Sequence, residues 1–398
     1  MSRRIVFLLL IIILNMSLSG CQSSNEINRL AIITAIGIDK ADSQYRITAQ
    51  IIIPSEISQK YSQGKSPVVV RTVTAPTIFE GIRTMSREAT RKLYLSHVQV
   101  LVLGEEIARS GIKNIIDFIS RDHELRTDFY ILVAKNSTAY NILDTLTPIE
   151  NIPANFIHDS IEVSKKVWGH TKEVQLDELI RILSFKGQSL VLAGIVETGE
   201  DEKGKDVRTL DKVSPPDLLR LQYLAAFKKD KLVGWLENDE CKGYSYITSN
   251  IESTIETLEE FEKGNIALEI KEAKSKIKVE LYEGMPIINV DIKAKASIGE
   301  IQIDMDLTKE DNINKIEKMA EDNIQRECRA VIKKAQEELN TDIFGFGEAI
   351  YRKHPKIWND LKEDWSNRFK NITVNITVDV EIKQTGTTTM VLEEREME

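Results

Sequence analysis

The chain has 398 residues, 42% of them hydrophobic and 29% charged, and a formal net charge of −9. Such a length allows two or three domains of roughly 100–200 residues each, with a substantial core. An acidic balance with no basic stripe argues against nucleic-acid binding and against tethering to anionic lipid by overall charge.

In chain order, Arg3 and Arg4 precede an unbroken apolar run from Ile5 to Leu14, and small residues stand just ahead of Cys21. This is the pattern of an export signal. The run is too short for a permanent membrane span, which takes about 20 apolar residues. Leu18-Ser19-Gly20-Cys21 resembles the lipobox of bacterial lipoproteins, where small side chains let an extended peptide enter a peptidase groove and the thiol receives diacylglycerol. A plain secretory signal ending in cysteine is the simpler alternative, yet basic start, apolar run and cleavage motif all agree with the lipoprotein. Cys21 is then the first mature residue. Losing Arg3 and Arg4 from 53 basic residues leaves 51 against 62 acidic ones, a formal charge of −11. Everything after Cys21 is expected to fold outside the cytoplasmic membrane, anchored by lipid, for which two or more acyl chains suffice.

Residues 27–39 and 45–53 read as strands rich in isoleucine, with a turn between them, and Val68 to Thr74 is a third. Thr77 and Glu80 are spaced as a capping box ahead of Ile78, Ile82, Met85 and Ala89, which repeat at helical spacing on a helix with a basic exposed side. A strand at Val98 to Leu103, a helical stretch from Glu105 to Ser120 and a strand at Phe129 to Ala134 continue a mixed α/β rhythm. Shorter helices over 140–146, 156–167 and 176–185 lead to a strand at 189–196. The charged segment from Thr198 to Asp206 marks a boundary.

Beyond Pro215 and Pro216, Leu219 to Phe227 and Leu232 to Leu236 flank Lys228-Lys229-Asp230-Lys231 as a hairpin. Tyr246 to Phe261 has helical preferences, and strands follow at 266–270, 274–281 and 287–303. The longest predicted helix carries Ile313, Ile316, Ala320, Ile324, Cys328, Val331, Ala335 and Leu339 on one stripe. After a break at residues 341–347, Tyr351, Trp358, Leu361, Trp365 and Phe369 follow at helical spacing, interrupted by Pro355. Val374 to Ile382 is a last strand. These elements predict an α+β fold: residues 21–205 as an N-terminal mixed α/β domain, 206–264 as a small middle domain, and 265–398 as antiparallel strands covered by long helices.

The sequence contains no G-x-S-x-G, H-E-x-x-H or P-loop pattern, and His97, His123, His158, His170 and His354 are scattered rather than spaced as metal ligands. The charged stretch from Arg121 to Arg126 around His123 could hold an acid–base pair, but a solvated salt-bridge loop fits better. Cys241 and Cys328 lack metal-site spacing; Cys328 falls on an apolar stripe, and a disulfide between them stays open. No enzyme activity, metal or cofactor is expected. The aromatic stripe from Tyr351 to Phe369 suits an interface or the core of its own domain, the core being favoured by the strands that need a cover.

Several separated segments carry a family resemblance: Leu30-Ala31-Ile32-Ile33-Thr34-Ala35-Ile36-Gly37-Ile38-Asp39 after the lipobox, Ala226 to Leu236 with Gly234-Trp235, Asp342-Ile343-Phe344-Gly345-Phe346-Gly347, and Tyr351-Arg352-Lys353-His354-Pro355-Lys356-Ile357-Trp358. Leu95-Ser96-His97, Gly104-Glu105 and Arg121 also sit at matching places. In this order they resemble the Ger(x)C family, lipoprotein C subunits of spore germinant receptors. Gln22 stands where family members often carry tryptophan after the cysteine. The resemblance implies a three-domain α+β ectodomain anchored through Cys21 on the outer face of the spore inner membrane. It further implies a noncatalytic role beside two integral-membrane A and B subunits in nutrient-triggered germination. Trp235, Phe346, Tyr351, Trp358 and Trp365 are the candidates for partner contact or domain core. The rival reading is a solute-binding lipoprotein of a transporter, which would show two doubly wound lobes.

Overall fold

The computed structural model describes residues 30–57, 65–89, 91–198, 219–260 and 264–384; Leu18, Ser19, Gly20 and Cys21 lie outside them. Among the described residues the strands form one nine-stranded and one four-stranded sheet. The fold is α+β.

The first sheet runs β3 (Val68–Ala75), β2 (Gln44–Ile52), β1 (Leu30–Ala41), β5 (Val100–Leu103), β6 (Tyr130–Ala134), β7 (Val191–Glu197), β8 (Leu219–Lys228) and β9 (Lys231–Glu237), with β4 (Lys92–Tyr94) paired to the start of β1. Its centre, β1-β5-β6-β7, is parallel, and its two flanks are antiparallel. The central strands read Val-Leu-Val-Leu and Tyr-Ile-Leu-Val-Ala because both faces are covered. On one face, Leu101, Leu103, Ile131 and Val133 pack with α1 (Ile78–Glu88), α3 (Lys113–Arg121) and α6 (Leu176–Leu183). On the other, Val100, Val102 and Leu132 meet α4 (Ala139–Asp144) and α5 (Pro153–Val167). Gly111, at φ 127°, divides the expected helix over 105–120 into α2 (Glu105–Ser110) and α3. Thr77 caps α1, accepting the Glu80 N–H at 3.2 Å.

The Ile36-Gly37-Ile38-Asp39 segment is explained by packing. Asp39 is buried and accepts the N–H groups of Ala139 and Tyr140 at 2.7 and 3.0 Å, fixing the start of α4 on the end of β1. Burial raises its carboxyl above the ordinary range, against those two hydrogen bonds. A side chain at Gly104 would strike Asp39 Oδ1 at 2.1 Å, so the neighbouring glycine keeps this carboxylate seated.

In the second sheet β10 (Thr254–Glu260), β11 (Gly264–Tyr282) and β12 (Met285–Ile301) are antiparallel. β13 (Thr373–Gln384) pairs parallel to β12, which corrects the expectation of a wholly antiparallel C-terminal sheet. A long crossover supplies the reason: α8 (Glu310–Lys333), a π-helical turn (Lys334–Leu339), α9 (Phe346–Lys353), α10 (Pro355–Leu361) and α11 (Trp365–Phe369) all lie between the two strands. The expected stripe of α8 is buried from Ile316 to Leu339. The strands expected at 266–270 and 274–281 are one strand with irregularities at Ala267/Leu268 and Ile270/Glu272.

Residues 206–264 make no unit of their own among the described residues. The β8–β9 hairpin extends the first sheet, whereas α7 (Asp239–Ile247) and β10 join the second. The helix expected over 246–261 ends at Ile247; Ser249 turns the chain at φ 56°, and Thr254 to Leu258 alternate as a strand. Tertiary pairing with β11 overrides the helical preferences of the glutamates there. Val191, Leu224, Ala226 and Leu236 of the first sheet share one hydrophobic cluster with the second, so the core is continuous between the two halves.

Candidate functional site at the junction of the two halves

The segment Asp342 to Gly347 turns the chain between the π-helical end of α8 and α9. Asp342 is fully enclosed, and its Oδ1 accepts the N–H groups of Phe344, Gly345 and Phe346 at 3.1, 3.0 and 3.2 Å. Its Oδ2 accepts Gly347 N–H at 2.8 Å and the Trp365 indole N–H at 3.1 Å. Burial pushes this carboxyl up to about 6, opposed by the hydrogen bonds from Gly347, Phe346, Trp365 and Gly345. Gly345 sits at φ 83°, which a side chain would disfavour. One buried acid therefore organises a helix start and pins α11.

The same turn docks on residues 185–190 of the N-terminal half. Ser189 N–H donates to Asp342 O at 2.7 Å, Glu348 N–H donates to Gly187 O at 3.0 Å, and the Ser189 and Thr341 hydroxyls meet at 2.6 Å. A side chain on Gly187 would lie 2.8 Å from the backbone of Gly347 and Glu348, and one on Gly347 would reach Gly187 and the Trp358 ring at 2.8 Å. The two backbones touch there because both positions lack a Cβ. Phe185 lies 5.9 Å from the Trp358 ring and 5.5 Å from the Tyr351 ring. Phe344, Phe346, Phe369, Trp365 and Trp358 continue as a chain of ring contacts into the C-terminal core.

Beside this contact a cleft of about 780 Å³ opens between the halves, bordered by Lys113, Lys186, Lys228, Thr341, Glu363 and Trp365. Lys186 and Glu363 bridge its rim at 2.8 Å. Burial, then the neighbouring Lys370 and Lys229, push the Lys228 ammonium below its ordinary range.

The sequence-predicted residues fall in two places. Phe346, Trp358 and Trp365 are buried together at the junction, and Tyr351 is 46% exposed beside Phe185. Trp235 is buried in the first sheet, donating to Glu105 Oε1 at 3.3 Å, with Lys135 Nζ 5.7 Å from its ring. Burial alone would raise Glu105; hydrogen bonds from Asn136, Arg109 and Trp235 outweigh it and hold the carboxyl below the ordinary range. The Arg121 to Arg126 stretch is ion-paired: Arg121 with Asp117 at 2.9 Å, Lys92 with Glu124 at 2.8 Å, and Arg126 with Asp128. Cys241 and Cys328 are both buried free thiols, which closes the disulfide left open above. Among the described residues no group of three or more His, Cys, Asp or Glu side chains is placed to hold a metal ion.

A buried polar cluster was missed by sequence reasoning. Glu256 accepts Tyr246 O–H at 2.8 Å and Asn323 Nδ2–H at 2.7 Å, and lies 3.5 Å from Lys242 Nζ. Glu327 is buried on the same side of α8, and burial, then the charge of Glu256, push its carboxyl up to about 9. Its signal was a glutamate beside Cys328 on an apolar stripe, where an exposed face would be ordinary.

Comparison with known proteins matches both halves. Residues 23–197 match the family model described as the spore germination protein N-terminal domain, and residues 222–386 match spore germination B3/GerAC like, C-terminal. The chain belongs to the Ger(x)C family of spore germination proteins. Among Ger(x)C relatives, spore germination protein KC of Bacillus subtilis (strain 168) is 28% identical over 97% of both chains. Spore germination protein B3 of the same organism is 26% identical over 94% of this chain and 96% of its own. The crystal structure of the GerBC protein superposes with a TM-score of 0.57, at 22% identity, over 87% of this chain and 96% of that one, and so shares the fold. In this Ger(x)C chain two of the motif segments noted in the sequence carry the buried carboxylates Asp39 and Asp342.

Proposed function

We propose that this chain is the noncatalytic, lipid-anchored C subunit of a nutrient germinant receptor, working beside integral-membrane A and B subunits on the outer face of the spore inner membrane. End-to-end similarity to spore germination proteins through both family models carries this reading. The junction supports it: the aromatic and glycine motifs are spent on holding two halves together rather than on converging reactive groups. Lipid on Cys21 would confine the ectodomain beside its partners and raise their effective concentration, as a short linker does. Cys21→Ala tests the anchor: the variant is expected to leave the membrane fraction and to lower nutrient-triggered dipicolinate release. Full germination with a soluble Cys21→Ala chain would make the anchor dispensable.

The cleft beside Lys228 is what favours the rival solute-binding reading. Against it, only the first half has a parallel sheet centre, and the second sheet is mainly antiparallel, so two doubly wound lobes are not present among the described residues. Tight stoichiometric binding of a nutrient to the purified chain by calorimetry would revive it.

A further inference from the structure

The first described residues lie along β4: Leu30 pairs with Lys92, Ala31 with Leu93 and Ile32 with Tyr94. Cys21 stands nine residues before Leu30, so even a fully extended leash spans at most about 32 Å. A lipid on Cys21 therefore keeps this edge close to the bilayer.

The chemistry of that edge differs from the acidic whole. Phe79, Arg83 and Arg87 recur every four residues along α1 and so form one row on its outer side. After the helix Arg91 and Lys92 are exposed at the entry to β4, Lys92 sharing a groove with Phe79 and Arg83, and Tyr94 alternates outward around buried Leu93. Phe79 is 52% exposed, with the Arg83 guanidinium 5.1 Å from its ring centre. Among the described residues Arg83, Arg87 and Arg91 have no carboxylate partner, whereas Lys92 is paired with Glu124. Glu80 and Glu88 are exposed on other rows of α1, and Asp122 and Glu124 lie across an apolar groove of about 460 Å³ floored by Ile82, Leu93 and Leu95. Unpaired arginines interleaved with exposed aromatic rings suit a membrane–water interface, where cations meet head groups and rings settle among them.

We propose that the α1–β4 face lies against anionic phospholipid head groups and fixes how the ectodomain stands on the membrane. This rests on the lipid anchor proposed above, which supplies nearness, while the arginine row supplies orientation. Overall acidity keeps the rest of the surface away from the same head groups.

The test uses the full mature chain with Cys21→Ala, purified without lipid and co-sedimented at low salt with vesicles of phosphatidylglycerol mixed with phosphatidylcholine, or of phosphatidylcholine alone. Preference for phosphatidylglycerol that fades with salt is expected. Each basic residue near such a surface is worth about fivefold in binding, so the triple variant R83Q/R87Q/R91Q should lose at least about tenfold. The triple Arg→Lys variant should keep the preference, and K274Q/K276Q/K278Q, on β11, should behave as wild type. All three are surface changes, and unchanged circular dichroism melts will show that they fold. No head-group preference, equal loss in both Gln triples, or loss in the Arg→Lys triple overturns the proposal. Lost germination in the R83Q/R87Q/R91Q strain without any lipid preference assigns the face to a protein partner instead, which also overturns it. The anchor is scored separately by the mass of the wild-type N-terminal peptide. An unmodified Cys21 with intact phosphatidylglycerol binding removes the anchor and leaves this surface standing.

Discussion

The Trp365 indole N–H donates to Asp342 Oδ2 at 3.1 Å, tying the last helix of the crossover to the turn that docks on the N-terminal half. Asp342→Asn replaces an acceptor oxygen with an amide N–H and strands two or three buried donors. We expect a loss of about 2–5 kcal/mol, read from the urea midpoint by circular dichroism. Trp365→Phe removes one donor and should cost about 1–3 kcal/mol. Equal losses in the two variants would mean that the indole bond carries the whole effect.

Gly187→Ala places a methyl 2.8 Å from the Gly347–Glu348 backbone, which must give way. A cost of about 1–3 kcal/mol is expected. Hydrogen exchange locates it: the Ser189 and Glu348 amides, bonded across the junction, should exchange faster while β5 amides keep their protection.

Glu327, pushed up to about 9, gives a pH-dependent stability whose sign is fixed. A raised folded value means the contribution is complete below the ordinary carboxyl range and lost as pH rises through about 9. Wild-type melting temperature should therefore fall on going from neutral pH to above 9. Glu327→Gln stays neutral, flattens that fall and should be the more stable protein above pH 9. Parallel melting curves of the two proteins across this interval would refute the assignment.

Burial pushes the thiols of Cys241 and Cys328 far above their ordinary range. Neither should react with a maleimide in the native chain, and both should react in denaturant. Rapid native labelling at either would contradict the packing of α7 on α8.

Much of this was legible because the patterns are local. Thr77 and Glu80 fix a helix start, the Ile316 to Leu339 stripe shows one buried face, and the run of apolar residues in β5 shows a strand covered on both sides. What escaped depends on partners distant in sequence. Thr254 to Glu260 is a strand because β11 lies beside it, and β13 is parallel because of a crossover that no local signal orients. The aromatic stripe at 351–369 was readable as core or interface, but Asp342 as its organiser was not. A single carboxylate gathering five donors leaves only the faint trace of an aspartate before Phe-Gly-Phe-Gly. Gly187, which lets the halves meet, carries no motif at all.

The most direct test is dipicolinate release from spores of the source organism, in a strain stripped of other germinant receptors, with and without an in-frame deletion of this chain. Loss of response to one or more nutrients, with non-nutrient germination intact, is the result expected of a receptor subunit. Normal germination of the deletion spores with every nutrient would contradict it.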